Sequence, residues 1–416
     1  MNQQDFITIV EQHICSVLAG ASVSNVLTHH PVQEQVVLLA DKQTMHLSPS
    51  STASYAVEIK RSQAFNTEDV RVVIEIITEI VANFNKIAPP YRARVLKYAI
   101  EVGICKFLTP EQHPMLIEVL DGFDSWSRRT YEGRRPTFSI VVDFANPQPV
   151  DEEHPGIGQV LAADFSALLS SSVASALVLS AAGALVDYRT FSTDAVADNP
   201  HAPGHYAAFA NYATAHRVGF TLTETGEVLV FNQQRLFFSR INDSWNYYNH
   251  GSTIAALASG PLEVRKAVYE TLLDVSFART GGCLAVVRLA DVAKLIVEDG
   301  QSPRSTIKRD DLLAQPTSLK SQALSSLVRG RKFQDLDRLA RKEMVGIDGA
   351  TILTYEGEVL AVGAIIKIDG GSTGGGRLAA TKTLAAYGTA IKVSADGMVE
   401  AFVRGQDDQP ERVFKF

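Results

Sequence analysis

The chain repeats itself, and that repeat limits its possible folds more than composition does. Residues 176–188 (ALVLSAAGALVDY) and 350–362 (ATILTYEGEVLAV) share one strand–turn–strand rhythm, with Gly183 matching Gly357. Residues 204–216 (GHYAAFANYATAH) and 376–388 (GRLAATKTLAAYG) share a glycine and an Ala-Ala pair at the same offsets. Residues 223–231 (TETGEVLVF) then echo residues 394–402 (SADGMVEAF). Upstream, a helix around Met115–Trp126 and a strand Thr137–Asp143 mirror a helix opened by Pro261 and a strand starting at Cys283. Any one echo would be matched by two unrelated hairpins. All of them in the same order point to a duplicated unit of alternating strands and helices. The expected class is α/β with a mixed sheet in each copy.

The remaining sequence features suit that reading. A length of 416 residues fits two to three domains, and 46% hydrophobic with 20% charged residues describes a folded chain. The expected division is an α+β scaffold or sensor segment over 1–108, a degenerate copy over 109–255 and an intact copy over 256–416. Thirty-nine basic against forty-six acidic residues leave a net charge of −7, which disfavours non-specific nucleic-acid binding. Cys15, Cys105 and Cys283 show no metal-site or disulfide spacing, which suits a reducing compartment. Asp5, Glu11 and His13 interrupt the start where a signal peptide needs an apolar core. The most apolar stretch, Ser172–Val186, is shorter than a membrane span and reads as a buried core segment. The expectation is a soluble, cytoplasmic protein with no membrane partner.

Local signals place the elements. Thr67–Phe84 has helical apolar spacing behind a Thr67 cap, Ala88-Pro89-Pro90 breaks the chain, and Arg92–Lys106 resumes as a helix. The His29-His30 pair reads as exposed. Pro261 opens a helix to about Ala278, Cys283–Leu289 is a strand, and Asp291–Glu298 is a short helix. Basic residues Arg329, Arg331, Lys332, Arg338, Arg341 and Lys342 fall on helical stretches, either as a solvated face or as a phosphate contact. Strands follow over Ala350–Tyr355 and Glu358–Ile368. A glycine-rich loop, Asp369–Gly376, then runs into a helix Arg377–Tyr387. Strands Thr389–Ser394 and Met398–Val403 flank an Asp396-Gly397 turn.

The chemistry is expected where Asp348-Gly349-Ala350 heads a strand and the glycine loop opens a helix. Backbone N–H groups of Gly374, Gly375 and Gly376 lack side chains that would keep phosphate oxygens away, and the helix start adds positive potential. Ser372 and Thr373 offer hydroxyl donors. Asp348 supplies a hard carboxylate for Mg²⁺ or Mn²⁺ bridging to a triphosphate. A glycine loop alone would describe any mobile surface connection equally well.

These motifs resemble a known family. TGGCLAVVRL, IDGATIL, GGGRLAA and IKVSADGMVEAF, within residues 262–416, are similar to the diadenylate cyclase domain, the catalytic module of cyclic di-AMP synthases. The long N-terminal region resembles that of cyclase-domain proteins carrying sensor domains. The resemblance implies a mixed-sheet cyclase-like lobe that binds ATP with Mg²⁺ or Mn²⁺ as cofactor. It also implies homo-oligomerisation, because two domains must face each other for a ribose 3′-hydroxyl to attack the opposite α-phosphate. It assigns metal binding and hydroxyl activation to Asp348, and nucleotide contacts to Gly349, Ala350, Ser394 and Asp396.

The match has departures. The family's second motif reads Gly-Thr-Arg-His-Arg-Ala-Ala, whereas here the run is Gly374-Gly375-Gly376-Arg377-Leu378-Ala379-Ala380, with Arg377 in the histidine's place as the second catalytic candidate. Both flanking arginines are missing, and no histidine follows His250. The acidic pair after the serine is reduced to Ala395-Asp396. In the first copy Ala174 stands where Asp348 would be, while His205 falls where the family histidine belongs, or is an ordinary loop histidine. Arg235, Arg240, Trp245 and Tyr247 either stack on a nucleotide or pack a domain edge. The expected function is a nucleotidyltransferase making a cyclic or linear dinucleotide and releasing pyrophosphate. The alternative is a nucleotide-sensing regulator that has lost turnover, and a weaker third reading is a nucleic-acid or protein binder using the basic run.

Overall fold

Burial and strand pairing divide the chain, in this computed structural model, into two units, Met1–Asn249 and His250–Phe416. The structure describes all residues except 29–33, 85, 89–90, 131–132, 134, 163–173, 193–198, 258–259, 296–306, 309–310, 369–374 and 406. The His29-His30 pair lies outside the described residues. Among those described, no helix is long and apolar enough to cross a membrane.

The first unit opens with a helical segment, Gln3–Ile9 continuing to Val17, followed by a four-stranded antiparallel sheet. Strands β1 (Ser22–Thr28), β2 (Val36–Leu38), β3 (Thr44–Leu47) and β4 (Tyr55–Lys60) lie in the order β1-β4-β3-β2. The Thr67–Phe84 helix buries Val72, Val73, Ile76, Ile77 and Ile80, the stripe its apolar spacing predicts. The next helix, Arg92–Leu108, crosses it at Gly103, where a Cβ would lie 2.6 Å from Ile76 Cα. Only glycine permits that approach.

The rest of this unit is a seven-stranded sheet. Its strands are β5 (Phe138–Asp143), β6 (Ser175–Ser180), β7 (Leu185–Thr190), β8 (Arg217–Leu222), β9 (Val228–Asn232), β10 (Arg235–Ile241) and β11 (Ser244–Tyr247). One apolar core runs through the whole unit, from Phe6 and Ile76 to Phe138, Phe220 and Tyr247. Buried polar ties cross it as well. Arg61 pairs with Asp69 at 2.8 Å, and Asn249 donates to the same carboxylate at 2.6 Å. Arg240 pairs with Glu101 at 2.9 Å, and Arg235 with Glu68 at 2.6 Å. Residues 1–108 and 109–249 therefore share one core, tied by the buried Arg240–Glu101 pair and the Asn249–Asp69 bond.

The second unit is built on β12 (Gly282–Val287), β13 (Ala350–Thr354), β14 (Val359–Ala364), β15 (Gly388–Val393), β16 (Val399–Arg404) and β17 (Pro410–Lys415). Its strand order is β14-β13-β12-β15-β16-β17, and that of the first unit's large sheet is β11-β10-β9-β8-β5-β6-β7. Without the extra edge strand β11 the two orders coincide, read from opposite ends. The directions coincide too: β5–β6 and β12–β13 are parallel, and every other neighbour is antiparallel. Helices His113–Ser127 and Leu262–Ala278 precede the matching strands β5 and β12.

The turns match in backbone conformation. Gly183 and Gly357 have φ near +80° (80° and 84°), and the Ser180 and Thr354 hydroxyls each accept the N–H four residues on at 3.1 Å. Gly226 (φ 81°) and Gly397 (φ 87°) occupy the second pair of turns. Arg135 and Arg279 each stand three residues before the first strand of their sheet. Each donates to the corresponding turn carbonyl, of Thr225 and Asp396 respectively. The one large difference is the crossover after the first strand. It spans 144–174 in the first copy and 288–349 in the second, where the described residues include helices Leu319–Val328 and Arg338–Gly346.

Several expected bounds shift. The strand expected over Glu358–Ile368 ends at Ala364, the helix at 291–298 is described only over Val292–Leu295, and the one over Arg377–Tyr387 tightens to a 3₁₀ turn after Leu384. Strand β17, absent from the sequence reading, starts with proline at the sheet edge, where its missing N–H costs no ladder bond.

Candidate functional site

Register brings the separated motifs of the second unit to one sheet end. Leu284 is level with Thr351 in the parallel pair, and Gly282 is level with Val393 in the antiparallel one. The starts of β12 and β13 and the end of β15 therefore lie side by side, with Asp348-Gly349 next to Gly281-Gly282 next to Ser394. The Gly376–Leu384 helix joins this end through Arg377, because a Cβ on Gly281 would lie 2.5 Å from the Arg377 Nη1 atom.

Each site residue takes a distinct position there. Asp348 is exposed, Gly349 has φ 105°, and Ala350 is the buried first residue of β13. Gly375 is the helix N-cap with φ 90°, and a Cβ on Gly375 or Gly376 would meet nothing within 4 Å among the described residues. No described atom crowds the Cα of either glycine, and the N–H groups and dipole of a helix start suit an anion. Ser394 closes the β15–β16 turn, exchanging backbone bonds with Met398 and Gly397. Asp396 is exposed, and its Oδ1 accepts from the Met398 N–H at 3.2 Å. Ser372, Thr373 and Gly374 lie outside the described residues.

The first copy differs at the same end. The Ala174 carbonyl is consumed by the ladder, accepting from the Phe191 N–H at 2.7 Å. His205 is exposed in the Gly204–Tyr206 turn ahead of the matching helix, edge-on to the Tyr206 ring. It lies in the first unit, and Asp348 and Arg377 lie in the second.

Ion pairing accounts for much of the remaining charge. Arg338 forms a two-point pair with Asp274, and Arg341 pairs with Glu270, both partners lying on the Leu262–Ala278 helix. Arg329 and Arg331 donate to carbonyls at the end of the Leu319–Val328 helix. Arg338 and Arg341 are thus buried and engaged inside the fold, whereas Arg329 and Arg331 stay exposed while bonding their own helix end. Arg235, Arg240 and Tyr247 likewise bind carboxylates within the first unit, and Trp245 is buried.

Sequence reasoning missed one cluster beside Gly349. Lys320 Nζ donates to Asp311 Oδ1 and to the Gly363 carbonyl, both at 2.8 Å. Gly363 in turn abuts the motif: a Cβ on Gly349 would lie 2.5 Å from the Gly363 carbonyl carbon. No local pattern marks Lys320, because its partners lie 9 and 43 residues away. Among the described residues, no three His, Cys, Asp or Glu side chains gather as a metal site. The chain matches no protein-family model, no curated protein and no solved structure.

Proposed function

We propose that the second unit binds a nucleoside triphosphate at this sheet end and transfers its nucleotidyl group to a second nucleotide. By resemblance the substrate is ATP and the product a cyclic or linear dinucleotide. The observation that carries the reading is the convergence of Asp348, the Gly375–Gly376 helix start and the Ser394–Asp396 turn, in the one copy that retains the carboxylate.

The donor set fits Mg²⁺ or Mn²⁺ held largely by its substrate. Asp348 is a single exposed carboxylate, and these ions use one or two carboxylates with phosphate oxygens and water completing the shell. When bound, such an ion supplies positive charge at the α-phosphate. The N–H groups at the start of the Gly376–Leu384 helix bind phosphate oxygens, and Arg377 offsets the charge that grows during transfer. The attacking 3′-hydroxyl oxygen forms a bond to the α-phosphorus as the bond to pyrophosphate breaks. Its proton passes to an Asp348 carboxylate oxygen. The second nucleotide must be presented by another surface, and a homo-oligomer supplies one.

A specific observation favours a second reading. Gly376 and Leu378 replace both motif arginines, so two bidentate phosphate contacts are absent. A regulator that binds nucleotide without turnover is consistent with that loss. The test is purified full-length protein with each NTP and dNTP plus Mn²⁺, with products resolved by mass spectrometry. The transferase reading expects pyrophosphate and a dinucleotide, with Asp348→Ala lowering the rate by about 10² or more at unchanged circular dichroism. Equal rates for mutant and wild type defeat the assignment of Asp348. Binding without product from any nucleotide selects the regulator.

A further inference from the structure

The two copies of the sheet act as controls for each other. Their β6–β7 and β13–β14 hairpins share one bulge, at Val186 and Leu360. Beyond it the first copy pairs without interruption from Val178–Asp187 to Ser175–Thr190. The second copy inserts another residue, pairing Ile352 with Ala361 but Ala350 with Ala364, so that Val362 and Gly363 both stand opposite Thr351. Gly363 has φ 61°, the conformation of a glycine bulge, and bulges re-aim the chain beside them. What they re-aim here is the Asp348-Gly349 corner, since a Cβ on Gly363 would lie 3.0 Å from the Asp348 carbonyl oxygen.

The bulge comes with its own cation. Lys320 and Asp311 both belong to the long crossover that only the second copy possesses. That segment is anchored along β14, with Leu312 bridging Ala361 and the Leu313 N–H donating to Leu360 at 2.9 Å. Asp311 accepts from Lys320 through one oxygen and from the Ile365 N–H, at 3.4 Å, through the other. An ammonium carries three N–H donors. Asp311 and the Gly363 carbonyl use two, and the side chain is 40% exposed, leaving one donor for solvent or a ligand.

We propose that Lys320 is the phosphate-contacting cation of the Asp348 corner, supplied by the crossover in place of the missing motif arginines. The inference rests on the nucleotide reading above. Everything that distinguishes the two copies at this corner — carboxylate, glycine pair, bulge and lysine — occurs together in the second. A lysine held by two contacts before binding presents its charge without further ordering of a long side chain. As a compact point charge it suits a phosphate better than a neutral group does.

The test is calorimetric titration of the full chain with ATP, with and without Mn²⁺, at several KCl concentrations. Wild type, Lys320→Met and Lys320→Arg are compared, with thermal unfolding alongside. Lys320→Met should weaken ATP binding about tenfold and flatten its salt dependence, and Lys320→Arg should restore most of both. Unchanged affinity in Lys320→Met overturns the inference. So does weaker binding with an unchanged salt dependence, which would mean that the lysine only braces the bulge. If wild type binds no ATP under any of these conditions, the nucleotide reading fails and this inference fails with it.

Discussion

Cys283 links the core of the second unit to its candidate site. Its side chain is buried in β12, with Sγ 3.4 Å from the Thr381 hydroxyl on the helix that carries Arg377. Burial pushes its thiol up to about 11, while the Thr381 hydroxyl and the Arg377 charge act in the opposite direction. Only about a thousandth of such a thiol is thiolate at pH 8. Burial also raises Cys105, and raises Cys15 to about 12. We therefore expect all three cysteines to resist iodoacetamide at pH 8 in the folded protein and to react on denaturation, as counted by mass spectrometry. The linkage has a definite sign: the Cys283 contribution to stability is complete below about 9, where an ordinary thiol ionises, and is lost as pH rises through about 11. A denaturation series between pH 8 and 11 should show the midpoint falling, and Cys283→Ser should change that slope.

Matched turns are the clearest case at the scale of elements. Gly183 and Gly357 close equivalent hairpins with positive φ, so alanine at either position is strained to the same degree. The nearest obstacles to a new methyl group are ends of flexible side chains, Met115 and Gln334, which can swing aside. Gly183→Ala and Gly357→Ala should each cost about 1–2 kcal/mol by chemical denaturation, from backbone strain alone. Gly376→Ala, which meets no described atom and has no positive φ, should leave stability within about 0.5 kcal/mol. The same contrast explains what was legible. The Thr67–Phe84 helix follows from short-range spacing and an acidic first turn, although Thr67 is its first residue and Asn66, accepting the Asp69 N–H, takes the capping role expected of Thr67. The strand expected to run to Ile368 stops at Ala364 beside a bulge whose carbonyl is taken by Lys320, 43 residues away. No local window contains that partner.

Across the whole molecule, the first unit is held by interactions that span its full length. Arg240 is 4% exposed and pairs with both Glu101 and Asp124; Asp124 keeps Lys97 and Arg128, but loss of the arginine strands the buried Glu101 carboxylate. Arg240→Met should destabilise this unit by about 3–5 kcal/mol, read from its urea transition. A fragment of residues 109–249 would expose the aromatic face, Phe237, Phe238 and Tyr247, that Phe107 covers. It should give the dispersionless amide spectrum of an unfolded chain, whereas residues 1–249 should give a dispersed one. A dispersed spectrum from the shorter fragment would show that the middle segment folds independently of the first hundred residues.

Sequence alone determined the features that local physics controls. These are the helices with apolar stripes, the glycine turns with positive φ, and the repeated order of elements, since each depends on residues a few positions apart. The glycine start of the Gly376–Leu384 helix was legible for the same reason. The strand order, the shared core of residues 1–249 and the engagement of Arg338 and Arg341 with Asp274 and Glu270 were decided only by tertiary structure. So was the company Asp348 keeps: Arg377, Asp396, Lys320 and the Gly363 bulge come to one sheet end through strand register and a long crossover. Those contacts join residues tens of positions apart, and which of many equally charged residues meets which is set by how the sheet closes around its core.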